Sequence, residues 1–334
     1  MKTMIHPIPP GTRDVLPDEM RELRRLERAL IDVFEDRGYG EVATPAIEYD
    51  EVLARGDGRT AAGAYRFFDE GGDLLALRSD MTVPIARLVA GRLAGAEPPL
   101  RLSYMASTYR AVRPQRGQMR EFVQAGVELI GAPAPQGTAE VVEVLEAALD
   151  AAGLERAVIG LGDADLYRQL LTEYGVEGEV RDSIIGRLAT HDLVGLEAEL
   201  AAVDGIDEGQ VATCVALSQL RGGSEVLEEA RHLGGGAVER ATARLQETFD
   251  ELQRRGVAER VQIDLGLLRD LGYYSGAILE VYDPALGYVL GGGGRYDGLL
   301  KRFGVDLPAA GFALYLERVH VAQMEESRRG EGAG

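Results

Sequence analysis

Three stretches of the chain concentrate side chains able to do chemistry. The first is Tyr109-Arg110-Ala111-Val112-Arg113-Pro114-Gln115-Arg116-Gly117-Gln118-Met119-Arg120-Glu121-Phe122-Val123-Gln124-Ala125-Gly126-Val127-Glu128. Four arginines surround one turn here, and a guanidinium fork suits carboxylate or phosphate oxygens. Arg120, Phe122, Gln124 and Glu128 share parity, so an extended chain places them on one face. That face is either simply solvated or the wall of a polar pocket. The second stretch, Leu267-Leu268-Arg269-Asp270-Leu271-Gly272-Tyr273-Tyr274-Ser275-Gly276, sets paired tyrosines beside an arginine. Such a pair lines a small polar pocket or merely packs. The third, Gly291-Gly292-Gly293-Gly294-Arg295-Tyr296-Asp297-Gly298, lacks the Gly-Lys-Ser/Thr of a phosphate loop and does not fit the dinucleotide fingerprint. Glycine permits close backbone approach, so this run is a tight strand-to-helix crossing or the floor of a ligand site.

Other chemistries lack their residues. The single cysteine, Cys214, excludes an internal disulfide framework and a multi-cysteine zinc site. It lies in the apolar run Val211–Leu217 and reads as core, not as a nucleophile. His6, His191, His232 and His320 are too scattered for a metal-ligand spacing. No nucleophilic triad stands out. We therefore expect no metal, no cofactor and no catalytic residues of those classes. With 55 acidic and 36 basic residues the net charge is −19, which argues against nucleic acid as a general partner. Nearly all the positive charge is arginine, since Lys2 and Lys301 are the two lysines. No apolar run approaches the ~18 residues of a membrane span. The stretch Met1–Pro10 carries no apolar signal-peptide core. The expectation is a cytoplasmic protein.

The elements that must position these residues follow from periodicity. Leu23, Leu26, Leu30 and Phe34 predict an amphipathic helix over Asp18–Arg37, closed by Gly38. Val42–Pro45 is a short strand. Tyr65–Asp69 and Leu74–Arg78 form a hairpin. Met81–Leu93 returns to helical spacing. Leu100–Ala111 and Arg120–Leu129 are two long strands joined by the loop Val112–Met119. Ala139–Ala152 is a helix with Thr138 as its N-cap. Strands resume at Val261–Leu265, Ala277–Tyr282, Tyr288–Leu290 and Ala310–Leu314, before a closing helix from Leu316. At 334 residues the length suits roughly two domains. Strands in runs with helices at their ends predict an α+β fold with a mostly antiparallel sheet. Its core spans 1–163 and 256–324, interrupted by a helical insertion over 164–255 and followed by a disordered tail over 325–334. Ala54–Gly63 is small, Gly-rich and read as a mobile loop over the pocket.

Taken in order, five segments resemble class II aminoacyl-tRNA synthetases, specifically the core of histidyl-tRNA synthetase. They are Pro10–Pro17, then Gly38 to Pro45 with Glu48 (motif 1), and the hairpin around Arg110 (motif 2). Arg269–Tyr274 resembles the histidine-specific motif, and Gly292–Gly298 with Leu316-Glu317-Arg318 resembles motif 3. The resemblance implies an antiparallel sheet flanked by helices and a homodimer built through motif 1. It also implies a histidine-binding set: Asp80, Met81, Thr82, Arg110, Gln124, Glu128, Arg269, Tyr273, Tyr274 and Tyr296. Carboxylates would receive the amino group or the imidazole N–H, arginine the carboxylate, and tyrosines would close the pocket. Asp80 stands where the synthetases carry glutamate and, one methylene shorter, reaches an amino group directly or through a water.

The departures gather on the ATP side. Val112 replaces a glutamate that helps hold adenine, Gln118 replaces an arginine, and Tyr315 replaces the motif 3 glycine. Gly272 replaces an aspartate of the Tyr-Tyr motif. Arg318 is kept, and no anticodon-binding domain follows motif 3. This pattern resembles a non-catalytic branch of the family, the regulatory subunits of ATP phosphoribosyltransferase. That resemblance implies a short-form catalytic subunit as partner, its activation by this chain, and feedback inhibition with L-histidine as effector in the first step of histidine biosynthesis. The alternative is a histidine-adenylating enzyme that still uses Arg110, Arg269 and Arg318. A third reading is a scaffold whose pocket has decayed through Asp80 and Gly272.

Overall fold

The computed structural model describes residues 8–56, 63–111, 119–269, 272–284, 286 and 288–332. The expected mobile loop 54–63 and the motif 2 turn therefore fall largely outside the described residues, as do Val112 and Gln118.

The N-terminal helix α1 (Pro17–Asp36) starts on a proline, whose missing N–H costs nothing at that position. Leu23, Leu26, Leu30 and Phe34 are all buried, as their spacing predicts. Gly38 follows with φ +79°, the left-handed conformation that ends the helix. The chain then makes strand β1 (Gly40–Glu41), and the Val42 amide adds one more bond to Ser103 O at 2.9 Å. The strand thus begins two residues before its predicted start. Pro45 has no N–H with which to extend it.

Strands β2 (Ile47–Tyr49), β3 (Arg66–Phe68) and β4 (Leu74–Leu77) form a small antiparallel sheet in the order β2-β4-β3. Helix α2 (Asp50–Gly56) and helix α3 (Thr82–Leu88), which runs on into a wider turn over Val89–Leu93, pack beneath it. The two long strands are β5 (Leu100–Tyr109) and β6 (Glu121–Ile130), paired in register from Leu100↔Ile130 to Tyr109↔Glu121. Helix α4 (Gln136–Ala151) begins two residues before the predicted Thr138 cap. Thr138 is buried inside that first turn, and its hydroxyl accepts instead from Arg295 Nη1 at 3.2 Å.

After β7 (Val158–Asp163) the chain is helical: α5 (Leu166–Glu173), α6 (Gly178–Ala189), α7 (Leu193–Ala201), α8 (Glu208–Gln219), α9 (Glu225–Leu233) and α10 (Gly236–Arg255). A two-residue strand, β8 (Arg221–Gly222), interrupts them and pairs with β9 (Val261–Asp264). Strands β10 (Ala277–Tyr282), β11 (Val289–Arg295) and β12 (Ala309–Tyr315) complete a nine-stranded sheet of order β1-β5-β6-β12-β11-β10-β7-β9-β8. It is mixed, with parallel pairs at β1/β5 and β7/β9 and antiparallel pairs elsewhere. The α+β architecture is as expected. The final helix α11 (Leu316–Gly332) runs through most of the segment predicted to be a disordered tail. Arg328 pairs with Glu325 one turn earlier on it, a modest aid to an exposed helix.

The glycine run is neither loop nor crossing. It lies inside β11, between β10 and β12. One face of the sheet packs on α1, α4 and α10 in the main core. The other face, with Tyr273, Tyr274 and Tyr296, packs toward α2 and α3 in a second core. The candidate site opens on that second face. Among the described residues, no helix is long and apolar enough to cross a membrane.

Candidate functional site

The register of β6, β12 and β11 builds a floor. Glu128 stands opposite Gly311, which stands opposite Gly294. Two residues along, Gly126, Ala313 and Gly292 form the adjacent row, and beyond them Gln124 faces Tyr315. Side chains alternate across a strand, so these rows share one face. Small residues there leave room that larger ones would fill. A Cβ on Gly292 would overlap Arg269 Nη1, and one on Gly311 would overlap Glu128 Oε2 and the Val127 carbonyl. Gly311→Ala is therefore expected to destabilise the fold by ~1–3 kcal/mol, the usual cost of overpacking. A chemical denaturation curve measures this directly, and an unchanged midpoint would mean that the floor yields freely.

Above the floor lies a cavity of about 30 Å³. Nine of the ten residues implied as histidine-binding line it: Asp80, Thr82, Arg110, Gln124, Glu128, Arg269, Tyr273, Tyr274 and Tyr296. Met81 does not. It is wholly buried under α3, with its sulfur 3.9 Å from the Thr44 hydroxyl, because the helix turns its side chain away from the site. Tyr315 also lines the cavity. So do Tyr104 and Gly311, which sequence reasoning missed. Tyr104 shares parity with the pocket face of β5, but its relevance depends on the β5/β6 register. Gly311 is marked only by its pairing with Glu128.

Glu128 is the electrostatic centre. It is 1% exposed. Thr82 Oγ donates to Oε1 at 2.9 Å and the Tyr296 hydroxyl lies on Oε2. Burial pushes its carboxyl up to about 8, against those two hydrogen bonds and with help from the Asp80 charge. Burial thus favours the neutral form of Glu128 in this pocket. Gln124 is 3% exposed, and its Oε1 has no hydrogen-bond partner among the described residues. An unmet buried acceptor costs ~1–3 kcal/mol, which a donor placed in the cavity would recover. Asp80 is partly committed, since its Oδ1 accepts from the Val83 amide at 3.2 Å and so helps to cap α3. Tyr273 packs against Tyr274 at 5.0 Å and edge-on against Tyr296 at 6.0 Å between ring centroids.

The half-buried rim is cationic. Arg269 Nη1 donates to Leu279 O at 3.2 Å and reaches Gly291 O at 3.5 Å. Arg110 Nε donates to Ser79 O at 3.3 Å, and its guanidinium lies 5.1 Å from the Phe122 ring centre and 5.9 Å from that of Tyr315. Arg318 lies 4.7 Å from the Tyr315 ring and 5.6 Å from Tyr288. Each such stack is worth ~0.5–2 kcal/mol. The second strand's polar face, with a solvated surface as its alternative, is therefore a pocket wall.

A separate cavity of about 200 Å³ lies between α10 and the strand ends. Two ion pairs lie in its wall. Arg244 grips Asp163 at 2.8 and 2.9 Å, and Arg295 forks onto Asp297 at 2.7 and 3.2 Å. Among the described residues no His/Cys/Asp/Glu cluster has the makings of a metal site. Cys214 is buried, as expected of a core residue.

With this geometry in place, similarity to known proteins becomes decisive. The histidyl-tRNA synthetase family model matches residues 11–319. The chain is 42% identical over 320 residues to the ATP phosphoribosyltransferase regulatory subunit of Moorella thermoacetica, covering 95% of this chain and 82% of that one. It is 42% identical over 322 residues to the regulatory subunit of Symbiobacterium thermophilum, with 96% and 80% covered. The chain belongs to the ATP phosphoribosyltransferase regulatory subunits, within the histidyl-tRNA synthetase family. A solved structure from Bacillus halodurans, described as an ATP phosphoribosyltransferase regulatory subunit/histidyl-tRNA synthetase, superposes with a TM-score of 0.86 at 33% identity, covering 96% of this chain and 84% of that one. The fold and the regulatory-subunit relationship expected from the motifs therefore hold.

Proposed function

We propose that this chain is a histidine-sensing, non-catalytic regulatory subunit that binds and activates a short-form ATP phosphoribosyltransferase catalytic subunit in the cytoplasm. The observation that carries the sensing part is the buried Gln124–Glu128 pair, one an unpaired acceptor and the other a carboxyl whose charge burial disfavours, beside an arginine that can meet a carboxylate. An imidazole N–H supplies Gln124 with its donor. An ammonium placed by Glu128 draws the proton off that carboxyl. Arg269 receives the α-carboxylate. Asp80, Thr82 and the three tyrosines shape the rest.

The pocket's rim is formed by half-buried Thr82, Arg110 and Arg269, which a ligand seated on Gln124 and Glu128 would contact. A ligand that binds one arrangement better than another shifts the balance between them, by typically ~1–3 kcal/mol of coupling. We further propose a homodimer through the Gly38–Pro45 segment. Ile47 (48% exposed), Tyr49 (51%) and Phe67 (37%) share the outer face of the adjoining small sheet, an apolar surface that a second copy would cover.

Titration calorimetry tests the site. Gln124→Ala is expected to weaken histidine ~10-fold, the worth of one hydrogen bond, with the fold and catalytic-subunit binding intact. Equal affinity in both proteins would remove Gln124 from the site. The adenylating alternative predicts pyrophosphate exchange that requires both histidine and ATP. The regulatory reading predicts none.

A further inference from the structure

Tyr315 ends β12 with its ring in the slot between two other groups. The Phe122 ring meets it edge-on at 5.4 Å and 82°, and the Arg318 guanidinium lies 4.7 Å from its centre. The Arg110 guanidinium lies 5.9 Å from the same ring centre, and its charge acts on the hydroxyl. Among the described residues no carboxylate forms an ion pair with Arg110, Arg269 or Arg318. Two guanidiniums thus lie against this one ring, and Arg269 adds its charge from the pocket wall. A flat ring fills the space that a planar ligand would need, and a phenol oxygen takes the place of an external anion.

We propose that Tyr315 is the specificity residue of this pocket, a built-in occupant that refuses phosphate-bearing ligands while leaving the Gln124–Glu128 end open to an uncharged or zwitterionic one. The hydroxyl's own chemistry agrees. Burial pushes the phenol up, yet the charges of Arg110, Arg269 and Arg318 outweigh burial and hold it below its ordinary value. Two effects exclude a phosphate: the ring blocks the slot, and the hydroxyl already engages the cations that would otherwise bind it. The proposal depends on the amino-acid reading only for the ligand that is admitted. The exclusion rests on Tyr315 itself.

The test uses the full chain and two probes, inorganic pyrophosphate and ATP, with histidine measured on the same proteins by calorimetry. Wild type is expected to bind neither probe at millimolar concentration. Tyr315→Gly should gain at least 10-fold in pyrophosphate affinity, and adding Arg318→Ala should cancel that gain. Tyr315→Phe keeps the ring but frees the arginines, so it should gain less. Tyr315→Ser serves if the glycine variant melts below the assay temperature. No gain in any folded variant, or pyrophosphate binding by wild type, overturns the proposal. If wild type fails to bind histidine while Tyr315→Gly gains pyrophosphate, the histidine reading falls and the role of Tyr315 stands. If wild type binds histidine and no variant gains pyrophosphate, the histidine reading stands and the role of Tyr315 falls.

Discussion

Glu128→Gln is expected to weaken histidine ~10–100-fold at pH 8, as loss of a charged hydrogen bond should, while making the empty protein more stable at that pH. The two effects have one origin. The native carboxyl sits at about 8, above its ordinary 4.5, because burial disfavours its charge. A carboxyl raised in the folded state contributes stability that is complete below the unfolded value and is lost as pH rises through the folded one. The wild type should therefore lose stability between about pH 4.5 and 8, by at most ~5 kcal/mol at ~1.4 kcal/mol per unit. The amide has no proton to lose, so this contribution is absent from its stability across that window, and the difference between the two proteins isolates it. Below pH 4.5 the two proteins should coincide. Histidine binding by the wild type should release a proton near neutrality, because an ammonium beside Glu128 favours the carboxylate. Affinity then rises from pH 6 to 8 in the wild type, and that slope is reduced in Glu128→Gln to the part that comes from the ligand's own imidazole. Melting curves across pH and calorimetry in buffers of different ionisation enthalpy measure both. Identical pH profiles for the two proteins would mean that Glu128 is ionised throughout.

Arg269→Ala should reduce histidine affinity ~10–100-fold, again the scale of a charged hydrogen bond, with almost no effect on histidinol, which lacks the carboxylate. The guanidinium is held in place by Leu279 O and Gly291 O, and it lies directly over Gly292. Its aim therefore depends on the absence of a side chain at Gly292. Gly292→Ala places a Cβ on Nη1 and should reproduce much of the Arg269→Ala defect with the arginine still present. If histidine and histidinol lose affinity equally in Arg269→Ala, the arginine shapes the pocket and does not meet the carboxylate.

Much of this molecule is legible in its sequence because local pattern and tertiary need agree. The α1 stripe of Leu23, Leu26, Leu30 and Phe34 faces the core, and the parity of Phe122, Gln124 and Glu128 puts them on one buried face. What stays hidden depends on pairing between distant strands. The glycine run reads as a crossing or a floor, and only the β11/β12 register makes it the floor. Gly311 matters because it stands opposite Glu128, 183 positions earlier, which no local window contains. Thr138 has the residue type of a cap, but a hydrogen bond from Arg295, 157 residues away, recruits its hydroxyl instead. Met81 adjoins Asp80 and Thr82 in sequence, yet the start of α3 turns it into the core. Adjacency in a motif does not fix direction in space. The charged stretch after Glu325 lacks an apolar stripe that would announce a helix, and there it continues one already begun at Leu316.

The regulatory claim is tested most directly by the phosphoribosyltransferase rate of a short-form catalytic subunit from the same source, measured with and without this chain and titrated with histidine. The chain should raise the rate, the two proteins should co-elute, and histidine should then lower the rate in wild type but far less with Glu128→Gln. An unchanged rate without co-elution, together with histidine- and ATP-dependent pyrophosphate exchange by this chain alone, would contradict it.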